Sequence, residues 1–133
     1  PKYMKKEIVD VWVAETWKLM LLDASHVPNP GAQQYVADVV RNEIAATGGY
    51  TAGGVAITGK EAKFDGNNCY LDLVDVVLGP TWTITYRYAV LYQDTGYQAT
   101  SKIRAHIDFL ATQTITNGTS TIRWNTLGIL YVS

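Results

Sequence analysis

The sequence predicts a mainly β fold: a single-domain antiparallel β-sandwich or partly open barrel with one short helix. Three observations point there. The chain carries 15 Thr, 13 Val, 9 Ile and 9 Tyr, side chains that suit a pleated, half-buried surface. Its 11 Gly and 4 Pro fall between apolar runs, where turns are needed. Most of those runs alternate with period two, which places successive side chains on opposite faces of a strand.

In chain order, residues 7–13 read as a first strand, with Ile8, Asp10 and Trp12 on one face and Val9, Val11 and Val13 on the other. Trp17 to Leu22 is a nearly continuous apolar run, the pattern of a strand buried on both faces; the end of a helix from Ala14 is the alternative. Asp23 to Gly31 holds two prolines and several turn formers, and reads as a loop. A helix is expected next, with Asn29 as cap, Pro30 at its first position and Gly48-Gly49 as its stop. Tyr35, Val36, Val39, Val40 and Ile44 would line its apolar face, and it unwinds before Glu43.

Beyond Gly54 the period becomes two. Val55 to Phe64 and Cys69 to Val77 read as a hairpin around residues 65–68. Gly79-Pro80 is expected to break the chain. Trp82, Ile84, Tyr86, Tyr88, Val90 and Tyr92 then share one face of a long strand. Between 100 and 110, Ser101, Ile103, Ala105, Ile107 and Phe109 point inward, while Thr100, Lys102, Arg104, His106 and Asp108 point to solvent. Asn117-Gly118 signals another hairpin, and Leu127 to Val132 a last strand. Residues 1–16 form an N-terminal arm or first strand, and 17–133 the β-rich domain.

With 133 residues, folding buries about 68% of the unfolded surface, enough for a core without staples. Lys plus Arg total 11 against 12 Asp plus Glu, so no strong field of either sign recruits nucleic acid or anionic lipid. Disorder, a basic nucleic-acid module and an acidic tail are excluded on composition. The single Cys69 can make no internal disulfide. Lys2, Lys5 and Lys6 imitate a basic leader, but Glu7, Asp10 and Glu15 interrupt every apolar stretch behind them. The expectation is a chain with no signal peptide, made in the cytoplasm, and no association with membrane.

Chemistry-bearing residues are sparse. His26 and His106 have no ligand-type neighbour at strand or helix spacing, so they read as a loop histidine and a surface histidine rather than metal ligands. No Gly-x-Ser-x-Gly elbow occurs, and Cys69 lies mid-strand, where an inert buried thiol is expected. Asp72 and Asp75 read as a solvated strand edge. The glycine cluster from Gly48 to Gly54 lacks the Gly-Lys-Ser/Thr ending of a phosphate loop. The expectation is therefore no enzyme activity, no cofactor and no metal. Tyr97 and Trp82 are candidate platform aromatics for a carbohydrate-binding alternative.

Several runs together resemble a family of small structural proteins of tailed-bacteriophage virions. These are Trp17-Lys-Leu-Met-Leu-Leu-Asp23, Asn42-Glu43-Ile44 leading into Gly49-Tyr-Thr-Ala-Gly-Gly54, and Thr83-Ile-Thr-Tyr-Arg-Tyr-Ala-Val-Leu-Tyr92. Ile107-Asp-Phe109 follows, then Asn117-Gly-Thr-Ser-Thr-Ile-Arg-Trp124 and Gly128-Ile-Leu130. Their order covers Trp17 to Leu130; the Gly48-Gly49 pair and Tyr86 depart from the pattern. The resemblance implies a non-enzymatic virion component: a capsid decoration (cement) protein, or a tail, neck or fibre-attachment part. Its implied partners are the major capsid protein or other virion proteins, and further copies of itself, with a trimer favoured. The amphipathic start outside the matched region makes Tyr3, Lys5, Lys6 and Trp12 candidate contact residues, joined by Tyr97.

Overall fold

The computed structural model describes residues 16–57, 61–65, 68–72, 75–123 and 130–132. The first strand expected at 7–13 and the contact residues Tyr3, Lys5, Lys6 and Trp12 lie outside them. Seven strands are described: β1 (Trp17–Leu22), β2 (Val55–Ala56), β3 (Glu61–Asp65), β4 (Asn68–Asp72), β5 (Val76–Gln93), β6 (Ile103–Ile122) and β7 (Leu130–Val132). The fold is mainly β, as the composition predicts, and its four-stranded sheet does not close into a barrel.

The chain forms two compact units. The smaller comprises Pro1–Glu15, Ile57–Val77 and Thr121–Ser133. Its sheet has the order β3-β4-β7. β3 and β4 pair antiparallel from Glu61 opposite Asp72 to Asp65 opposite Asn68, so two residues connect them, as expected of a tight hairpin. β7 adds along the other edge of β4, with Cys69 opposite Val132.

The larger unit, Thr16–Ala56 and Leu78–Ser120, carries the antiparallel sheet β2-β1-β5-β6. β1 lies inside it, paired with β5 from Trp17 opposite Gln93 to Leu22 opposite Tyr88. Leu19, Met20, Leu21 and Leu22 are all buried, so the run is a strand covered on both faces and not a helix end. On one face Met20, Leu22, Val90 and Tyr92 pack with Val36 and Val39 in a single apolar cluster. The other edge of β1 pairs with β2 through Leu19–Val55 and Lys18–Ala56. Beyond β2, non-strand groups complete that edge: Ile44 N–H donates to Leu21 O (3.1 Å) and Asp23 N–H to Asn42 O (2.9 Å).

The expected helix from Pro30 does not form. Two three-residue 3-10 turns, Val36–Asp38 and Val40–Asn42, take its place. Polar side chains divide the segment. Gln33 accepts from Asn29 N–H (2.8 Å) and donates to Val27 O (3.0 Å), closing a separate turn before position 34. Tyr35 is held as a β-bridge against Lys102, and Asp38 accepts from the N–H groups of Gln34 and Tyr35 (3.1 and 3.0 Å). Val36, Val39 and Val40 keep their inward spacing, but branching at Cβ favours extended and turn backbone over a regular helix.

Three further expectations are corrected. Val55–Phe64 is not one strand, because Val55–Ala56 pairs with β1 whereas Glu61–Asp65 pairs with β4. Gly79-Pro80 does not end a strand; β5 runs through it. Asn117-Gly118 is not a hairpin, since β6 continues to Ile122. Asn117 takes the positive φ of such a turn (46°), yet its N–H donates to Thr83 Oγ1 (3.0 Å) on β5, which keeps the strand in place.

Cross-strand contacts show how β6 absorbs its length. Arg87 meets Asp108 and Thr85 meets Thr114, so β6 spends six residues where β5 spends two. The surplus centres on Leu110 (φ 68°), whose N–H donates to Asp108 Oδ1 (2.8 Å), the signature of a bulge. The Arg87–Asp108 pair (3.0 Å) lies at the surface. Such pairs gain little over hydration, so Asp108→Asn is expected to move Tm by no more than about 3 °C in a thermal melt.

Candidate functional site

The exposed face of the larger unit that carries a predicted contact residue is the loop joining β5 to β6. This loop is built to be stiff. Asp94 Oδ1 accepts from Gly96 N–H (2.9 Å), and the N–H and hydroxyl of Ser101 both donate to Tyr97 O (3.0 and 2.8 Å). Ser101, fully buried, also accepts from Thr95 N–H through its hydroxyl (3.1 Å). Ala37 N–H donates to Gln98 O (3.1 Å) and Val36 N–H to Ser101 O (3.0 Å), tying the loop to the first 3-10 turn. The backbone of Tyr97 is thus fixed while the residue stays 75% exposed. A rigid loop presenting one exposed aromatic has little backbone left to order when a partner covers it.

Beside Tyr97 lies an open cleft of about 310 Å³ that Lys18, Glu43, Asp94 and Gln98 help to line. Lys18 Nζ is 3.1 Å from Asp94 Oδ2. The Gly96 N–H, then Lys18, hold the Asp94 carboxyl below the usual carboxylate range. Glu43 forms the cleft's far wall and is already committed. Its Oε2 accepts from Tyr50 hydroxyl (2.7 Å) and Gly53 N–H (2.7 Å). Tyr50 hydroxyl in turn accepts from Leu21 N–H (3.2 Å), and Tyr92 hydroxyl donates to Gly53 O. Burial, then the hydrogen bond to Glu43, push the Tyr50 hydroxyl far above the usual tyrosine range. It therefore remains a donor. This network locks the Gly48–Gly54 loop onto the sheet.

Of the predicted contact residues, the structure places Tyr97 at the surface; the other four lie outside the described residues. Trp82 is not a free platform. It is half-buried, and its indole lies so close to Gly49 that a Cβ there would collide with it. Asp75 is exposed, as a solvated edge requires. Cys69 sits in the middle of β4, between Phe64 and Val132 in register. Among the described residues no group of three or more His, Cys, Asp or Glu is arranged to hold a metal ion, and no helix is long and apolar enough to cross a membrane.

Both histidines depart from their expected settings. His26 is buried, 3% exposed, with its ring edge-on to Tyr88 at 5.3 Å between centroids. His106 does not point freely to solvent; its Nε2 is 3.2 Å from Gln33 O and its Nδ1 is buried. Neither placement has a signal in the linear sequence, because each depends on the 23–35 segment folding back over β5 and β6. No known protein family, characterised protein or solved structure matches this chain.

Proposed function

We propose that this protein is a non-enzymatic structural component of a tailed-bacteriophage virion, most specifically a capsid decoration (cement) protein that binds and stabilises the major capsid lattice. The observation that carries the reading is where the resembling runs fall. Trp17–Leu22 is β1, Glu43 fastens the Gly49–Gly54 loop, Thr83–Tyr92 is the inner stretch of β5, and Ile107–Phe109 and Asn117–Ile122 lie on β6. The resemblance therefore covers the framework of the larger unit, residues that set a fold rather than a reaction. The partner contacts are assigned to the N-terminal residues Tyr3, Lys5, Lys6 and Trp12 and to Tyr97, whose exposed ring suits the centre of an interface.

The test is the copy number of the chain per purified particle, by quantitative mass spectrometry. Hundreds of copies support a head-lattice protein; about a dozen or fewer support a tail, neck or fibre-attachment part; none overturns the reading. Deleting residues 1–11 is expected to abolish particle binding in a co-sedimentation assay while the circular dichroism spectrum is retained. Unchanged binding would remove the arm from the proposal. A carbohydrate-binding role is favoured by one observation only, Tyr97 beside the polar Lys18–Asp94 cleft, and a glycan array without signal would dispose of it.

A further inference from the structure

His26 and His106 line one cavity of about 190 Å³, together with Pro28, Tyr88 and Asp108. A carbonyl oxygen can only accept, so the contact with Gln33 O places the proton of neutral His106 on Nε2. His106 Nδ1 is then a bare lone pair, buried and without a partner. His26 Nδ1 is likewise buried and unpartnered; beside the ring lies Asn42, whose amide N–H goes to Ser25 Oγ (3.0 Å). Two neutral imidazoles therefore turn unsatisfied acceptors into a site that offers neither of them a donor.

Both rings hold the same segment. Residues 23–35 cross the sheet with His26 against Tyr88 of β5 and Gln33 against His106 of β6. The segment's end covers the outer edge of β6, where Ile103 N–H donates to Gln34 O (2.8 Å) and Tyr35 bridges Lys102. We infer that residues 23–35 form an acid-released strap, docked by neutral His26 and His106 and freed when a proton is added to His26.

The charges around His26 favour this outcome. From its own segment Asp23 faces it and partly opposes the effect, but Asp23 Oδ1 already accepts from Ser25 N–H (3.0 Å). From the second 3-10 turn Arg41 faces it and repels a new cation, and from β6 His106 faces it across the cavity. Asp108, at the cavity wall, is paired with Arg87 (3.0 Å), so its charge is offset by a guanidinium. A protonated His26 would be a buried cation, and its new Nδ1–H would have no partner where the ring now stands. Burial first, then His106, lower the His26 pKa below its ordinary 6.5. The unfolded or undocked segment thus binds the proton more tightly than the docked one. Docking is at full strength above 6.5 and weakens as pH falls through the window between 6.5 and the lowered value. Release would leave Ile103 N–H unpaired and the start of β6 open to another strand.

The test is hydrogen exchange by mass spectrometry on the intact chain, corrected for the chemical pH dependence of exchange, with imidazole NMR on the same sample. Opening of 24–35 is expected to rise about tenfold for each pH unit within that window, while β1 amides stay protected. His26→Gln is expected to abolish the pH dependence. His106→Gln is expected to raise the His26 titration midpoint, because His106 is second among the groups that lower it. An unchanged slope in His26→Gln overturns the strap. Should that variant fail to fold, the wild-type NMR titration decides alone: a His26 midpoint at or above 6.5 overturns the inference, and one below it with coincident opening of 24–35 supports it.

Discussion

Gly54→Ala is expected to lower stability by roughly 2–4 kcal/mol, a drop in Tm of about 6–15 °C. Two effects add. Gly54 has φ 99°, a backbone region that a Cβ makes unfavourable by about 1–2 kcal/mol. A Cβ there would also land on the carbonyl oxygen of Leu19, in the fully buried centre of β1. Neither partner can yield cheaply, because Leu19 is opposite Val55 in the β1–β2 register and opposite Leu91 in the β1–β5 register. Gly96 supplies the control. Its φ of 88° is equally unfavourable, but nothing lies within 4 Å of its would-be Cβ. Gly96→Ala should therefore show the conformational cost alone, about 1 kcal/mol or a little more. Equal losses for the two variants in chemical denaturation would show that close approach to Leu19 contributes nothing.

The comparison also shows what kind of information the sequence held. Period-two alternation located β5 and β6 well, because a strand beside the core must repeat every second residue. Ile84, Tyr86, Val90 and Tyr92 are buried on the predicted face, and the uninterrupted apolar run at β1 forecast a strand covered on both sides. The same rule could not tell a turn from a bulge. Asn117-Gly118 has the residues of a hairpin, and Asn117 even adopts positive φ, but β5 is already alongside and β6 does not reverse.

Failure at the expected helix has a different cause. Asn29, Pro30 and the valine spacing are sound local signals, but Gln33, Tyr35 and Asp38 each satisfy a competing backbone group. Local propensity is small, a few tenths of a kcal/mol per residue, so one long-range bridge such as Tyr35–Lys102 outweighs it. Site residues were less legible still. Tyr97 could be read as an exposed aromatic in a turn-rich stretch, whereas the burial of His26 and the Glu43 contacts exist only once distant segments meet.

That division bears on function. On the function proposed above, the loops closed onto β1 and β5 are what a lattice-binding protein must keep rigid if it is to stabilise its neighbours. The stiff 94–101 loop and the glycine loop at 48–54 are two such closures, and both meet at the cleft beside Tyr97. Glu43 is the residue on which the second closure depends.

Glu43→Ala is accordingly expected to cost about 2–4 kcal/mol. Its carboxylate is the acceptor for both the Tyr50 hydroxyl and the Gly53 N–H, at 2.7 Å each. Tyr50 is 3% exposed, so without Glu43 its hydroxyl proton has no water to turn to. Each orphaned buried donor costs about 1–3 kcal/mol, more than the bond itself contributes to folding. Tyr50→Phe removes the donor instead of the acceptor, yet it also strands Leu21 N–H on β1, so its loss should be of similar sign and smaller size. Glu43→Gln keeps an acceptor oxygen and should recover part of the difference. If the Ala and Gln variants melt together, the carboxylate's hydrogen bonds are not what fastens the loop. If Glu43→Ala and Tyr50→Phe combine with less than additive loss, the two side chains act through one shared contact, as their geometry requires.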